Sequence, residues 1–311
     1  MKPKDWALLI FILLIAATVR LYRLNAPLAD WHSWRQADTA AVTRRYVQEG
    51  INLLHPRYDD LSSIPSGREN PAGYRMVEFP FVNALTAWLY ELFSPPLEIH
   101  VFSRIISIIF SLGSLIFLYL LTNQLSNKLT AILAATTFAL LPYNIYFSRT
   151  ILPEVPLVFF SLGMLYFFVR QQIWLATLFA IFALLLKPYA LFLFLPLAYF
   201  AFRHRSYSYL VILISTVPFL LWRYWIQQFP EGIPAFTWLL NGNGIRFKGA
   251  WFRWLFADRV GRLILGYFGL IPFGLGLLVK PKDKAGWLYH FWLLGILTYF
   301  VVFATGNVQH D

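Results

Sequence analysis

Of the 311 residues, 59% are hydrophobic and only 13% are charged, and the formal net charge is +11. This balance is typical of integral membrane proteins. Nucleic acid is not expected as a partner, because the lysines and arginines lie between apolar segments rather than on a polar domain. The chain has no cysteine, which excludes disulfides and thiolate metal sites.

Apolar segments of spanning length recur along the chain and predict an all-α integral membrane protein, a polytopic bundle of about nine transmembrane helices. The first is expected to be retained rather than cleaved as a signal peptide, because no small-x-small site follows it. The segment FPFVNALTAWLYELFS at 79–94 carries Glu91 and predicts an interfacial helix. The expected spans lie near residues 6–24, 100–122, 129–147, 154–170, 172–187, 188–202, 208–226, 260–280 and 286–305.

The basic residues predict how these spans are oriented. With the N-terminus in the cytoplasm, the short inner loops carry an excess of lysine and arginine, as the positive-inside rule requires. Two long loops, about 25–98 and 227–258, then lie outside, and the first is expected to carry surface helices. We therefore expect a multi-pass protein of the plasma (inner) membrane with an extracytoplasmic active face. The inner basic residues are Lys2, Lys4, Lys128, Arg170, Arg203, Arg205, Lys280, Lys282 and Lys284.

Residues 1–311 are expected to form a single transmembrane domain. The ninth span is followed directly by GNVQHD, without a closing polar tail. We expect the protein to continue beyond residue 311.

The first long loop has the densest polar sequence. It reads Asp30-Trp-His-Ser-Trp-Arg-Gln-Ala-Asp38, followed by Arg44-Arg45-Tyr46, and predicts a surface helix from Trp34. A carboxylate near apolar surface suits a general base, because burial raises its pKa. The alternative is that Asp30 and Asp38 are helix caps or surface residues.

Two further motifs of this loop contain candidate carboxylates. Asp59 and Asp60 form a pair that either ligates a hard cation or is simply solvated. Glu78 precedes the apolar segment 79–94 and is expected either to bind a substrate hydroxyl or to lie outside the site. No cofactor is expected, and a divalent cation is left open.

Three charged residues border the later spans. Glu154 enters the first turn of a predicted helix, where the helix dipole stabilises it, and Arg149 is either its ion partner or a phosphate ligand. Lys187 follows the apolar run 173–186 directly. Its side chain either reaches the membrane interface or neutralises a phosphate leaving group.

Soluble nucleotides are not expected as donors, since the chain contains no Walker-type loop, GxSxG, HExxH or dinucleotide fingerprint.

Taken in order, four features resemble the C-type (GT-C) glycosyltransferases. They are an aspartate soon after the first span, a surface helix bearing Arg44, the RTILPE turn, and a Lys-Pro after a later span. The sequence is most similar to the protein-mannosyltransferase and aminoarabinose-transferase branch, specifically to bacterial family 39 membrane proteins with an SWRQ-like first loop. The resemblance covers nearly the whole chain.

The resemblance implies transfer of a sugar from a polyprenyl-phosphate carrier to an acceptor on the outer side of the membrane. Asp30 is then the base that activates the acceptor, and Asp38 is its rival, since Trp31 rather than a second acid follows Asp30. The acceptor stays open among lipid, glycan and protein. The residues expected to bind substrate or membrane lipid are His32, Arg35, Arg44, Arg57, Glu78, Arg149, Glu154, Lys187 and His310.

Two other functional classes remain. A transporter or flippase for a lipid-linked or anionic substrate also places charges within spans, although transporters tend to show internal repeats and broken helices near the midplane. A non-catalytic scaffold is the third possibility.

Overall fold

The computed structural model describes residues 3–204, 208–281 and 286–306, and within these ranges the fold is all-helical, without β-strands. A single antiparallel bridge joins Arg57 and Tyr74. The α-helices of the described ranges are α1 (Pro3–Arg20), α2 (Ser33–Glu49), α3 (Phe81–Phe93), α4 (Ile99–Leu125), α5 (Lys128–Leu140), α6 (Pro142–Phe147), α7 (Glu154–Val169), α8 (Ile173–Leu186), α9 (Leu195–His204), α10 (Ser208–Trp225), α11 (Gly249–Phe252), α12 (Leu270–Leu278) and α13 (Trp287–Val302).

Two helices of the described ranges are long and apolar enough to cross a membrane by length and composition, Ile99–Leu125 and Tyr209–Gln228. The expected nine spans are therefore matched only in part by this criterion. The other apolar helices have 10–17 residues: Trp6–Arg20, Lys128–Leu140, Glu154–Val169, Ile173–Leu186, Pro188–Phe202 and Trp287–Val302. Of the basic residues expected in the inner loops, Lys2, Arg205, Lys282 and Lys284 lie outside the described residues.

Two prolines end helices in the apolar part of the chain, one within an expected span and one at the boundary between two. The expected segment 129–147 divides into α5 and α6, because Pro142 disfavours helical backbone at Leu141, which is extended (φ −62°, ψ 120°). The segment 188–202 begins as a 3₁₀-helix, Pro188–Phe194, and continues as α9. Lys187 before it is extended as well (φ −149°, ψ 130°). The proline at 188 thus explains why α8 stops at Leu186.

The second long loop and the span after it also differ from expectation. The loop was expected to run to about 258, but a helix begins at Gly249 and continues as a π-helix, Arg253–Ile264. The expected span 260–280 is interrupted at 265–269, where Gly266 (φ 58°) and Tyr267 (φ 59°) are left-handed. Only the nine residues of α12 follow.

The main core lies between α4, α7, α8 and α10. Buried residues of α7 and α8 form its centre, with alanine on α8 allowing close approach. A second cluster joins α1 to α4 and α5. The central side chains of the two clusters include Phe160, Met164, Leu165, Ala180, Ala183, Leu184, Leu9, Ala16, Leu115 and Ala135.

Helices α2 and α3 pack on each other and on α4, and they define what we call the α2–α3 end of the bundle. Both were predicted from the sequence, the first from Trp34 and the second over 79–94, and the structure confirms them as helices. Ala41, Tyr46, Tyr58 and Ala87 form their shared core. This packing fixes the position of the first turn of α2, which carries most of the polar motif.

Buried arginines fasten the chain where it leaves α1. Arg104 donates from NH1 to the carbonyl oxygens of Leu24, at 2.7 Å, and of Ala26. Arg149 donates from NH1 to the Arg23 carbonyl oxygen at 2.9 Å. The loop that leads to Asp30 is therefore held by guanidinium–carbonyl bonds.

Candidate functional site

Four charged side chains from distant parts of the sequence meet at the α2–α3 end. Arg35 on α2 pairs with Glu78, which precedes α3. Lys187 Nζ lies 2.9 Å from Glu154 Oε1 and 3.8 Å from Glu78 Oε1. The structure thus brings together four predicted site residues that span more than 150 positions of the chain.

The network keeps its carboxylates ionised. Burial alone would raise the pKa of Glu78, but Arg35 and Lys187 outweigh it and hold that pKa below its usual value. Burial would likewise lower the pKa of Arg35, yet Glu78, Glu154 and Asp38 raise it. The four groups therefore carry two positive and two negative charges.

Asp38 extends this network towards the loop. Its Oδ2 lies 3.1 Å from NH1 of Arg75, whose side chain is only 6% exposed. Burial raises the pKa of Asp38 to about 6; Asp60, Glu78 and Asp59 add to the rise, and Arg35 opposes it. A carboxylate that titrates near neutral pH suits proton abstraction.

Three tyrosines that the sequence analysis missed lie within electrostatic range of Glu154. Tyr143 of α6, Tyr189 of the 3₁₀-helix and Tyr299 of α13 all interact electrostatically with its carboxylate. The Tyr189 ring packs on Tyr299, with centroids 5.0 Å apart, and lies 5.9 Å from Lys187 Nζ. The one sequence signal for these tyrosines is that Tyr189 lies two residues after Lys187.

His32 reaches the same region from the N-cap of α2. Its pKa is lowered chiefly by burial and also by Arg259, while Glu154 opposes the shift. Arg259 stacks over Trp31 at 5.9 Å and over Trp254 at 4.7 Å. The helix that follows the second long loop therefore lies against the first loop.

Asp30 lies in a different setting, held by Gln36. The Gln36 amide donates from Nε2 to Asp30 Oδ1 at 2.8 Å and to the Trp31 carbonyl oxygen at 2.9 Å. Its Oε1 accepts from the Ile151 backbone N–H at 3.2 Å. Gln36 is fully buried and joins the first loop to the turn before Glu154. The sequence analysis missed Gln36, although it lies within the SWRQ motif.

Arg149 accompanies Asp30 rather than Lys187. Besides the bond to the Arg23 carbonyl, its guanidinium stacks over the Tyr146 ring at 5.2 Å. The Tyr146 hydroxyl interacts electrostatically with Asp30 and donates to the Trp31 carbonyl oxygen at 3.4 Å. In this arrangement Arg149 is buried and supports the loop.

Arg44 and Arg57 belong to an exposed cluster further along α2. Arg44 and Arg45 both pair with Asp59, and Arg57 NH1 lies 3.9 Å from Glu49 Oε2. Asp60 Oδ1 accepts from the Ser62 backbone N–H at 2.8 Å. In the described ranges no group of three or more His, Asp or Glu is arranged to hold a metal ion. His310 lies outside the described residues.

A cleft between α2, α3, α4 and α7 borders the charged network at Glu78. Asn83 crosses it, donating to the Thr39 carbonyl oxygen at 2.8 Å and to Thr43 Oγ1 at 2.9 Å. The cleft is lined by both hydroxyl and apolar side chains, which include Thr86, Ser103, Ser107, Ile106, Phe110 and Leu186. Glu78 therefore faces both the ion network and this cleft.

Comparison with protein-family models and with curated protein sequences gives no match to the chain. Its function is therefore inferred from the charged network, from Asp38 and from the adjoining cleft.

Proposed function

We propose that the protein is a GT-C-like membrane glycosyltransferase that moves a sugar from a polyprenyl-phosphate donor to an acceptor. The observation that carries this proposal is the network of Arg35, Glu78, Lys187 and Glu154, with Asp38 beside it. It combines cations suited to a phosphate with a carboxylate suited to a base, at one end of a largely apolar bundle.

In this proposal Asp38, rather than Asp30, is the base. Asp38 has a raised pKa and interacts electrostatically with Arg35 and Glu78. Glu78 in turn contacts Lys187. Asp30 is bonded to a buried glutamine and lies with Arg149. These contacts support Asp38, the rival that the sequence left open.

The proposed step is a single inverting displacement. Asp38 accepts the proton of the acceptor hydroxyl or amine, whose oxygen or nitrogen forms a bond to the anomeric carbon. The bond from that carbon to the phosphate oxygen breaks, and polyprenyl phosphate leaves with the electron pair. Lys187, with Arg35 near by, stabilises the developing phosphate charge.

We further propose that the bundle spans the plasma (inner) membrane about nine times, with the N-terminus in the cytoplasm and the α2–α3 end outside. The basic inner loops support this orientation. Large apolar side chains that face away from the bundle support lipid contact. On α1 and α10 these are Ile10, Phe11, Leu14, Leu213, Val217, Leu220 and Leu221.

The test is transfer by the full chain in liposomes that contain a polyprenyl-phosphate hexose labelled in the sugar, with a cell-envelope extract as the source of acceptor. Formation of polyprenyl phosphate and loss of label from the donor are measured for the wild type and for Asp38→Asn and Lys187→Met. Asp258→Asn removes a partly exposed carboxylate of the π-helix Arg253–Ile264, which pairs with Arg262, and is the matched control.

We expect donor turnover by the wild type and the control, and a loss of at least about 100-fold in Asp38→Asn, since general-base catalysis contributes 10²–10⁴-fold. Equal turnover in Asp38→Asn would refute the mechanism. A transporter predicts a different result, namely movement of intact donor between leaflets without turnover.

A further inference from the structure

Lys187 forms ion pairs with two carboxylates of the protein itself. Its side chain is 13% exposed and contacts two carboxylates, of which Glu154 is nearer. Glu78 also pairs with Arg35, whereas the one ion pair of Glu154 among the described residues is that with Lys187. An anion that binds Lys187 must compete with Glu154.

Glu154 is the carboxylate that is free to leave. Its side chain is 54% exposed, compared with 14% for Glu78. A half-exposed carboxylate regains water when its partner is taken, whereas a buried one would be left without compensation. An anion that binds Lys187 therefore displaces Glu154 and leaves the Arg35–Glu78 pair in place.

The hydroxyl groups of three tyrosines lie within electrostatic range of Glu154. In the described part of the chain, the hydroxyls of Tyr143, Tyr189 and Tyr299 have no hydrogen-bond partner within the protein. Each can donate a hydrogen bond to an oxyanion. A phosphate group offers more acceptor oxygens than a carboxylate does, and so it can use Lys187 and these hydroxyls together.

Charge balance identifies the class of anion. With Glu154 in place the two cations and two carboxylates are neutral, so an added phosphate would leave the site negative. When Glu154 turns to solvent, Arg35 and Lys187 exceed Glu78 by one charge. A polyprenyl phosphodiester of a sugar carries one negative charge and restores neutrality.

We propose that Glu154 is an exchangeable counter-ion, which pairs with Lys187 and is displaced by the phosphate of the lipid donor. Tyr143, Tyr189 and Tyr299 then donate to the phosphate oxygens. This inference rests on the proposed function, since it takes a polyprenyl phosphate as the ligand. Glu154 then competes with the donor phosphate for Lys187 and does not itself contact the substrate.

The test is binding of a polyprenyl-phosphate hexose, the singly charged phosphodiester, to the full chain in nanodiscs without acceptor, with neutral polyprenol as the reference ligand. Glu154→Gln removes the competing charge and keeps the size of the side chain. Glu91→Gln, on the exposed side of α3, is its matched control. We expect Glu154→Gln to bind the phosphate about tenfold more tightly, equal to about 1.4 kcal/mol, and polyprenol unchanged.

Two further variants separate exchange from a general effect on folding. In Lys187→Met, addition of Glu154→Gln should give no gain, because the competition needs the lysine. Tyr189→Phe keeps the ring contacts with Tyr299 and should weaken phosphate binding. Tyr289→Phe is its control, since the Tyr289 hydroxyl donates to Thr122 Oγ1 at 3.3 Å, away from the site.

The outcomes distinguish this inference from the proposed function. If the wild type does not prefer the polyprenyl-phosphate hexose to polyprenol, the proposed function itself is wrong. If it does, but Glu154→Gln binds equally or more weakly, the counter-ion role is wrong and the function stands. Thermal unfolding of each variant establishes that it is folded.

Discussion

NH1 of Arg75 lies 3.1 Å from Oδ2 of Asp38, so a buried guanidinium holds the proposed base. The same arginine stacks over the Tyr58 ring at 5.0 Å, and its backbone N–H donates to the Pro56 carbonyl oxygen at 2.9 Å. Arg75 therefore joins α2 to the segment that leads into Glu78. It orients the Asp38 carboxylate and contributes a positive charge beside it.

The pH dependence of transfer should report on this pair. Because the pKa of Asp38 is about 6, the wild-type rate should fall as the pH drops through 6, where the base becomes protonated. Arg75→Met removes a cation that favours the ionised form, so the acidic limb should move to higher pH. Rates measured between pH 4.5 and 8 check this.

Arg45→Met removes a partly exposed arginine of α2, the helix that carries Asp38, and is the control for that experiment. An acidic limb at the same pH in Arg75→Met and wild type would show that Arg75 has no influence on the base.

Asp30→Asn and Asp38→Asn should differ sharply. The asparagine oxygen at position 30 can still accept the hydrogen bond from Gln36 Nε2, so we expect transfer within about threefold of wild type. Asparagine at position 38 cannot accept a proton at neutral pH, and at least about 100-fold should be lost. The reverse order of the two rates would return the role of base to Asp30.

Gln36→Ala should destabilise the protein strongly. Three partners would lose their bond to Gln36, namely the part-buried Asp30 carboxylate and Trp31 carbonyl and the buried Ile151 N–H. Each buried unsatisfied group costs about 1–3 kcal/mol, so we expect a fall of several degrees in Tm. Differential scanning fluorimetry in detergent measures it.

Gln227→Ala is the control for Gln36→Ala, because Gln227 is exposed and donates only to the Arg223 carbonyl oxygen of its own helix. If the two variants unfold at the same temperature, the buried amide does not anchor the loop.

Gly295→Ala should disturb the tyrosine-lined side of the site. A Cβ at this position would clash with the carbonyl oxygen of Phe192, in the 3₁₀-helix that also carries Tyr189. Either α13 or the 3₁₀-helix must move, at a cost of about 1–3 kcal/mol. We expect a lower Tm and weaker binding of polyprenyl phosphate.

Gly274→Ala in α12 is the opposite case, because no atom lies within 4 Å of its Cβ position. Its Tm should stay equal or rise, as alanine favours helix over glycine by about 1 kcal/mol. Equal losses in both variants would mean that the contact at Gly295 has no special role.

The sequence predicted the helical fold and the convergence of several polar residues because both follow from local signals. Apolar length marks α4, and the motif from Trp34 marks α2. The break at Pro142 was not predicted, since the hydrophobic count runs through a proline whose effect is on the backbone of the residue before it. The junction between Lys187 and Pro188 was predicted, but the 3₁₀-helix that follows it was not.

Partners in space were harder to predict than positions in the chain. Arg149 and Lys187 both looked like phosphate ligands, but Arg149 bonds to a carbonyl of the loop after α1. Tyr299 carries no local signal, since an aromatic residue in an apolar helix looks like any lipid-facing or core side chain. Only the packing of α13 on the 3₁₀-helix brings it to Glu154.

The first loop is held at one end by hydrogen bonds and at the other by an ion pair, and these differ in their sensitivity to acid. Near α1 the guanidinium groups of Arg104 and Arg149 bind neutral carbonyls, which do not titrate. At Glu78 the bond needs an ionised carboxylate, whose lowered pKa keeps it intact until the pH falls below the usual glutamate value of about 4.5. In stronger acid the segment before α3 should release its amide protons to exchange while the exit of α1 remains protected.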